Sequence, residues 1–201
     1  RTLPLPTRIL ISLSNHIRSW WFLYVIGVVI IASVLSRYVK TKDGKFLFDR
    51  VKLQSPVFGG LLNKIVLSRF TRTLGTLIGN GVPLLSALGM TRDTLGNEVF
   101  ASEINKSYVK VEMGESLAGT LSKSEIFPPI VIDMIAVGEE TGNLPDALVR
   151  IADTNDREVE SSVKALTSLI EPVMILVMGT IVGFIVMAML LPVFEMSAFV
   201  K

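Results

Sequence analysis

Two adjacent carboxylates, Glu139 and Glu140, lie in the polar sequence Gly138-Glu139-Glu140-Thr141-Gly142, the most conspicuous charged motif of the chain. General acid-base catalysis by a carboxylate pair requires two groups in different environments that face one cleft. Neighbouring residues of a helix point about 100° apart, so these two carboxylates do not face each other. We therefore favour a solvated helix end, with a partner-docking corner and a structural ion contact as alternatives.

The remaining residues exclude most other kinds of catalytic site. The chain contains no cysteine and one histidine, His16, so a thiolate metal site, a disulfide and a cysteine nucleophile are impossible. Neither a phosphate-binding P-loop nor a G-x-S-x-G nucleophile elbow occurs. The net charge of +2 gives no indication of nucleic acid binding. We therefore predict that the protein is not an enzyme and has no catalytic residue, cofactor or metal ion.

Two long uncharged stretches predict membrane-spanning helices. Residues 172–194 carry no charge between Glu171 and Glu195. As a helix this stretch is roughly 34 Å long, against a hydrocarbon thickness of about 30 Å. A shorter stretch covers residues 19–36 and begins with aromatic residues, which favour the headgroup level. Both stretches are interpreted as transmembrane helices.

Two features of the second span suggest contacts. Gly179 and Gly183 form a G-x-x-x-G pattern, which allows close approach of another helix within a membrane. Glu171 and Pro172 lie at the entry to the span, where the carboxylate is either solvated or paired with a basic side chain of a partner.

The region between the spans predicts helices only. Apolar residues recur near a period of 3.6, and proline, glycine and asparagine mark the helix ends. The predicted fold class is an all-α membrane protein, an antiparallel six-helix cytoplasmic bundle flanked by two transmembrane helices. The predicted starts are at Pro56, Pro83, Asn97, Ser116, Pro129 and Asn143, and the predicted ends include Gly79-Asn80-Gly81, Gly114 and Gly142.

Basic residues orient the chain. Six of them lie within residues 37–52, against three arginines in residues 1–18 and one lysine in the tail. Positive charges beside a span favour the cytoplasm, so the central region is predicted to be cytoplasmic. The predicted division is an extracytoplasmic leader (1–18), a transmembrane helix (19–38), a basic cytoplasmic linker (39–54), the bundle (55–165), a second transmembrane helix (166–195) and an extracytoplasmic tail (196–201).

Four stretches in order resemble a known family. They are RFTRTLGTLIGNGVPLLSAL (69–88), GESLAGTL (114–121), FPPIVIDMIAVGEETGNLPDAL (127–148) and LTSLIEPVMILVMGTIVGFIVMAMLLPVFEM (166–196). They resemble the inner-membrane platform protein of bacterial type II secretion and type IV pilus machines. The resemblance implies two copies of a six-helix domain and three spans, of which this chain matches the second domain and the last two spans.

The resemblance also implies a function and partners. It implies a non-enzymatic, multi-pass scaffold of the bacterial inner membrane. The G-x-x-x-G strip suggests a contact with a second copy of the chain, as in a homo-oligomer, or with a pilin. The resemblance implies contacts with a hexameric secretion ATPase, with pilin or pseudopilin subunits, with other inner-membrane assembly components and with the lipid bilayer. It does not imply nucleic acid. The alternative is a transporter or channel subunit, although the spans offer few polar side chains to line a path.

The family motifs mark candidate partner-contact residues in this chain. Asn155 departs from the family pattern, in which an aromatic residue is usual, and predicts altered packing of the last bundle helix. The candidates are Arg72, Gly79, Gly81, Pro83, Leu84, Gly114, Glu115, Gly138, Glu139, Glu140, Thr141, Gly142, Leu144, Glu171 and Pro172, with Gly179 and Gly183 for helix packing in the membrane.

Overall fold

The structure, a computed structural model, describes residues 5–39, 41–56 and 58–198. Residues 1–4 of the predicted leader and residues 199–201 of the predicted tail lie outside the described residues. The described residues form eight α-helices and no strand, which confirms the prediction of an all-α protein. The helices are α1 (Leu5–Val39), α2 (Lys42–Gln54), α3 (Gly59–Gly79), α4 (Leu84–Thr94), α5 (Glu98–Glu112), α6 (Leu117–Leu121), α7 (Pro129–Glu140) and α8 (Leu144–Ala198).

The chain divides into two compact units. One unit contains α1 up to Arg37 and α8 from Ala165 onward. The other unit, Tyr38–Lys164, contains α2 to α7 and the first part of α8. We refer to this second unit as the bundle.

The first unit contains parts of two helices, α1 and α8, that are long and apolar enough to cross a bilayer. The apolar windows within Arg18–Val39 and Leu144–Leu190 have mean hydropathies of 2.1 and 2.7. A helix in the core of a soluble protein would bury such a window, but these windows are only 0% and 6% buried. Lipid is the environment that their exposed apolar side chains fit.

The bundle helices begin and end near the predicted residues. Asn97 is confirmed as the N-cap of α5, since its side-chain oxygen accepts hydrogen bonds from the backbone N–H groups of Val99 (3.0 Å) and Phe100 (3.1 Å). Pro129 occupies the first position of α7, where its missing N–H costs nothing. The glycines after α3, α5 and α7 have positive φ: Gly81 (84°), Gly114 (93°) and Gly142 (70°).

Three phenylalanines form the centre of the bundle core. The rings of Phe70 and Phe100 each lie 5.7 Å from that of Phe127, in tilted and edge-on arrangements that aromatic pairs favour. Some apolar residues that recur at the helical period are instead exposed, among them Phe58 by 55%, Met90 by 54% and Val163 by 45%. The stripes therefore extend beyond the buried face. Other fully buried residues are Leu67, Leu74, Leu88, Ile104, Leu117, Leu121, Ile135 and Leu148.

Helix α2 was not predicted, because the sequence analysis placed residues 39–54 in a linker. Thr41 caps this helix, with its hydroxyl oxygen accepting a hydrogen bond from the backbone N–H of Gly44 at 3.2 Å. The helix packs against α3 and α5. The bundle therefore contains one more element than the sequence indicates.

Helices α3 and α8 approach each other closely at Gly75. A Cβ atom at this glycine would lie 3.0 Å from Cβ of Leu148 and 3.1 Å from the carbonyl oxygen of Pro145. The absence of a side chain at Gly75 therefore permits the contact that joins the first and last helices of the predicted six-helix arrangement.

The close contact predicts that Gly75→Ala destabilises the chain by about 1–3 kcal/mol through overpacking. Gly60 provides a matched control on the same helix, since a Cβ there has no atom within 4 Å. Gly60→Ala should be neutral or stabilising by up to about 1 kcal/mol, because alanine favours helix. Chemical denaturation in detergent, followed by circular dichroism, measures both. Equal stability of the two variants would contradict the close contact.

Candidate functional site

The acidic motif at the end of α7 contacts the first turn of α6, which directly follows the sequence Gly114-Glu115-Ser116. Glu139 Oε1 accepts a hydrogen bond from the backbone N–H of Leu117 at 2.7 Å, and Oε2 accepts one from Ala118 at 2.8 Å. These are N–H groups of the first turn of α6, which have no partner within their own helix. One carboxylate thus brings together two of the predicted motifs, 114–121 and 138–142.

The other residues of the acidic motif have different environments. A Cβ at Gly138 would lie 2.7 Å from Cβ of Ala147, so glycine permits the close approach of α7 and the start of α8. Glu140 is exposed. The hydroxyl of Thr141 donates to the carbonyl oxygen of Val137 at 2.7 Å. Leu144 is half-buried at the first position of α8 and packs against the core.

This geometry separates the two carboxylates. Glu139 binds backbone N–H groups of α6, whereas Glu140 faces solvent. The pair therefore lacks the shared cleft that acid-base catalysis requires. Glu139 supports the fold, and Glu140 is the carboxylate of this turn that is available to a partner.

The turn before α6 also has its own contacts. Ser116 caps α6, since its hydroxyl oxygen accepts a hydrogen bond from the backbone N–H of Gly119 at 3.1 Å. Glu115 forms an ion pair with Lys123 at 2.9 Å. Both side chains of this pair are about half exposed, so the pair contributes little to stability.

Arg72 links α3 to α8 within the bundle. Its Nη2 atom donates to Asp153 Oδ1 at 2.8 Å and to Asp156 Oδ2 at 2.6 Å. The hydroxyl of Ser68 donates to the other oxygen of Asp156. The sequence analysis singled out Arg72 but missed its partners. The one available signal was the spacing of Ser68 and Arg72 by one helical turn, which places both on the same face of α3.

This network shifts the ionisation of its members. The hydrogen bond to Asp153, followed by that to Asp156, raises the pKa of the Arg72 guanidinium. The hydrogen bond from Ser68, opposed by partial burial and assisted by Arg72, lowers the pKa of the Asp156 carboxyl. Each shift favours the charged form, so the network is an ion-pair contact between helices.

Asn155, which directly precedes Asp156 in the sequence, occupies a buried position on α8. The residue is 8% exposed, and its Nδ2 atom donates to the carbonyl oxygen of Ile151 at 2.9 Å. The amide therefore finds a partner within its own helix, which lowers the cost of placing a polar group where an aromatic residue was expected.

The remaining candidate residues lie on other helices or farther along α8. Pro83 and Leu84 begin α4, and Gly79 ends α3, where a Cβ would lie 3.6 Å from Cβ of Pro145. In the first unit, Glu171 and Pro172 are exposed on α8. A Cβ at Gly179 or Gly183 would meet no atom within 4 Å. The G-x-x-x-G strip is thus open to another helix.

Within the part of the chain that the structure describes, no group of three or more His, Cys, Asp or Glu residues is arranged to hold a metal ion. The features above define a helical membrane scaffold whose notable polar residues join helices. The family described as "Type II secretion system (T2SS), protein F" matches residues 70–192. The chain belongs to this family of inner-membrane platform proteins, which are structural components and not enzymes.

Similar proteins carry two kinds of name. A type IV pilus assembly protein PilC of Myxococcus xanthus is 39% identical over 99% of this chain and 48% of its own length. PilC of Thermus thermophilus is 41% identical over 96% of this chain and 48% of its own. A type II secretion system protein F of Pseudomonas aeruginosa is 34% identical over 100% of this chain and 49% of its own length. The chain thus spans about half the length of these curated relatives.

The contacts of Glu139 predict that Glu139→Ala destabilises the bundle by about 1–3 kcal/mol, because two N–H groups lose a charged acceptor. Amide exchange at Leu117 and Ala118 should accelerate in this variant, as measured by hydrogen–deuterium exchange. Glu140→Ala, which removes the exposed neighbour, is the control and should leave both amides protected. Unchanged exchange in Glu139→Ala would contradict the capping role.

The lowered pKa of Asp156 predicts an acid-side dependence of stability. The unfolded state binds a proton more readily at this carboxyl, so its contribution is complete above about pH 4 and is lost as the pH falls through the folded-state pKa. Asp156→Asn should therefore lose less stability than the wild type on acidification. Ser68→Ala should lie between them, because Ser68 contributes most to the shift. Denaturation at several pH values tests this, and three identical profiles would contradict it.

Proposed function

We propose that this chain is part of a non-enzymatic platform that couples a cytoplasmic secretion ATPase to the assembly of pilin-like subunits, in type II secretion or type IV pilus machinery. The observation that carries the proposal is the arrangement of a protein F family member: a helical bundle, Tyr38–Lys164, connects two long apolar stretches. Such an arrangement supports a scaffold with one aqueous and one membrane-embedded surface. The relatives' names, pilus assembly and type II secretion, support pilin or pseudopilin partners.

The proposed topology is multi-pass, with the bundle in the cytoplasm. Arg37, Lys45, Arg50 and Lys52 lie beside or soon after the first span, and positive charges there favour the cytoplasmic side. Residues 1–18 and 196–201 would then lie on the other side of the membrane. The proposed spans are 19–38 and 166–195, with residues 55–165 as the six-helix part of the bundle.

Helix α8 is the proposed route from the ATPase to the membrane. Its residues run in one helix from Leu144 to Ala198, and they include both the end of the bundle and the uncharged stretch 172–194. A helix resists bending and twisting, so a movement imposed on its bundle part passes along its axis. The open strip at Gly179 and Gly183 supports a helix contact within the membrane, either with a pilin-like subunit or with a second copy.

The acidic turn is the proposed contact for the ATPase. Among its carboxylates Glu140 is exposed, whereas Glu139 is bound to α6. A reversal of charge at Glu139 would disturb the fold, so it cannot isolate a docking effect. A reversal at Glu140 changes the surface and leaves the hydrogen bonds to α6 in place.

We predict that the ATPase co-purifies with the full-length protein. If a basic group of the ATPase pairs with Glu140, Glu140→Arg places two positive charges opposite each other and weakens this association about tenfold. Asp133→Arg is the matched control, because Asp133 is also an exposed acid on α7, two turns away. Affinity purification with quantified ATPase, together with secretion or pilus counts, measures the effect.

Two outcomes would contradict different parts of this proposal. Equal losses in the Glu140 and Asp133 variants would remove the acidic turn as the specific contact. A wild-type protein that never retains the ATPase, in detergent or in native membranes, would remove the coupling role.

A further inference from the structure

Helix α2 presents most of its apolar residues outward. Leu47, Phe48 and Val51 are exposed by 49%, 38% and 59%. On the side toward the bundle, the charged Asp49 is buried and Leu53 is half-buried against the core. A helix that only stabilised a soluble bundle would have the opposite arrangement, with its apolar face inward.

Polar contacts, together with the packing of Leu53, hold α2 on the bundle. Asp49 Oδ2 accepts a hydrogen bond from the backbone N–H of Glu98 at 3.0 Å, at the first residue of α5. Lys45 Nζ forms an ion pair with the side chain of Glu98 at 2.8 Å. These contacts explain why a charged side chain faces inward, and they fix the exposed apolar residues on the opposite side.

The exposed face of α2 combines an apolar stripe with basic edges. At about 100° per residue, Leu47, Val51 and Phe48 lie within an arc of roughly 100°. Lys52 borders the stripe on one side, and its Nζ atom lies 4.2 Å from the centroid of the Phe48 ring. On the other side the stripe is followed by Gln54 and the acidic Asp43, and then by Arg50. Both basic side chains are exposed.

The chain itself restricts what this face can meet. The first candidate span ends at Val39, and α2 begins at Lys42. Three residues extend over at most about 11 Å, so the start of α2 is tethered to the membrane surface where the span leaves it. An apolar stripe with basic edges at that depth fits the boundary between lipid headgroups and acyl chains.

We propose that α2 is an interfacial helix that binds anionic phospholipid. Leu47, Phe48 and Val51 enter the headgroup–acyl boundary, and Arg50 and Lys52 bind lipid phosphates. The exposed apolar face is thereby covered by lipid, and the buried Asp49 keeps the bundle attached to the same helix. This proposal depends on α1 crossing the membrane and not on the ATPase or pilin contacts, so each can fail alone.

Spin labelling tests the proposal, because the chain contains no cysteine. Val51→Cys and, as a control, Ile130→Cys each carry a label on the intact chain in lipid nanodiscs. Both positions are exposed, by 59% and 66%, so neither substitution disturbs the core. With phosphatidylglycerol present, the label at position 51 should contact oxygen and be shielded from a water-soluble nickel complex. The label at position 130 should show the reverse.

Charge substitution identifies the lipid contact. Each basic residue contributes about fivefold to binding at an anionic surface. The ratio of shielded to water-exposed label at position 51 should therefore fall about fivefold with Arg50→Gln and again with Lys52→Gln. Arg150→Gln, on the bundle part of α8, should have no effect. Replacing phosphatidylglycerol by phosphatidylcholine should lower the ratio as the double variant does.

Three results would overturn the proposal. The first is equal accessibility to nickel of the labels at positions 51 and 130 in every lipid. Spin–spin broadening at position 51 would instead indicate that a second copy of the chain covers α2. Shielding that appears only when the ATPase is added would indicate a protein partner in place of lipid.

Discussion

Hydrocarbon offers no hydrogen-bond partner to a peptide N–H or C=O group, and this constraint separates the two units of the chain. In the first unit, a helix satisfies its backbone internally and leaves its apolar side chains exposed, as in the windows within Arg18–Val39 and Leu144–Leu190. In the bundle the same kinds of side chain turn inward and surround Phe70, Phe100 and Phe127. Each unit is stable in a different solvent, lipid for the first and water for the second.

The bundle satisfies helix ends with carboxylates from distant elements. Glu139 accepts from the first N–H groups of α6, and Asp49 accepts from the first N–H of α5. A negative charge is favourable at a helix N-terminus, where unpaired N–H groups and the helix dipole coincide. Residues that resemble catalytic acids in the sequence therefore serve as joints between helices. Only the exposed Glu140 keeps a carboxylate of the acidic motif free for another molecule to approach.

The features predicted correctly from the sequence are local ones. Uncharged length reveals the apolar stretches, and Asn97, Pro129 and Gly142 mark helix ends through their own backbone and side-chain chemistry. Helix α2 escaped prediction because its inward face holds the charged Asp49 and a half-buried leucine, Leu53, which together form no apolar stripe that a sequence pattern would reveal. The partners of Arg72 escaped prediction because they lie 81 and 84 residues farther along the chain. Only the folded chain brings these side chains together. The separate environments of Glu139 and Glu140 likewise depend on where α6 lies.

Helix α6 has five residues, too few to persist as a helix alone, because the first turn costs more than it returns. Its ordered state depends on the burial of Leu117 and Leu121 in the core, and on caps from Ser116 and from Glu139, which belongs to a helix that begins later in the chain. Release of the end of α7 would withdraw the acceptor on which α6 relies, and melting of α6 would return that carboxylate to water. The two segments are therefore linked through this carboxylate, so that opening of the end of α7 and melting of α6 favour each other.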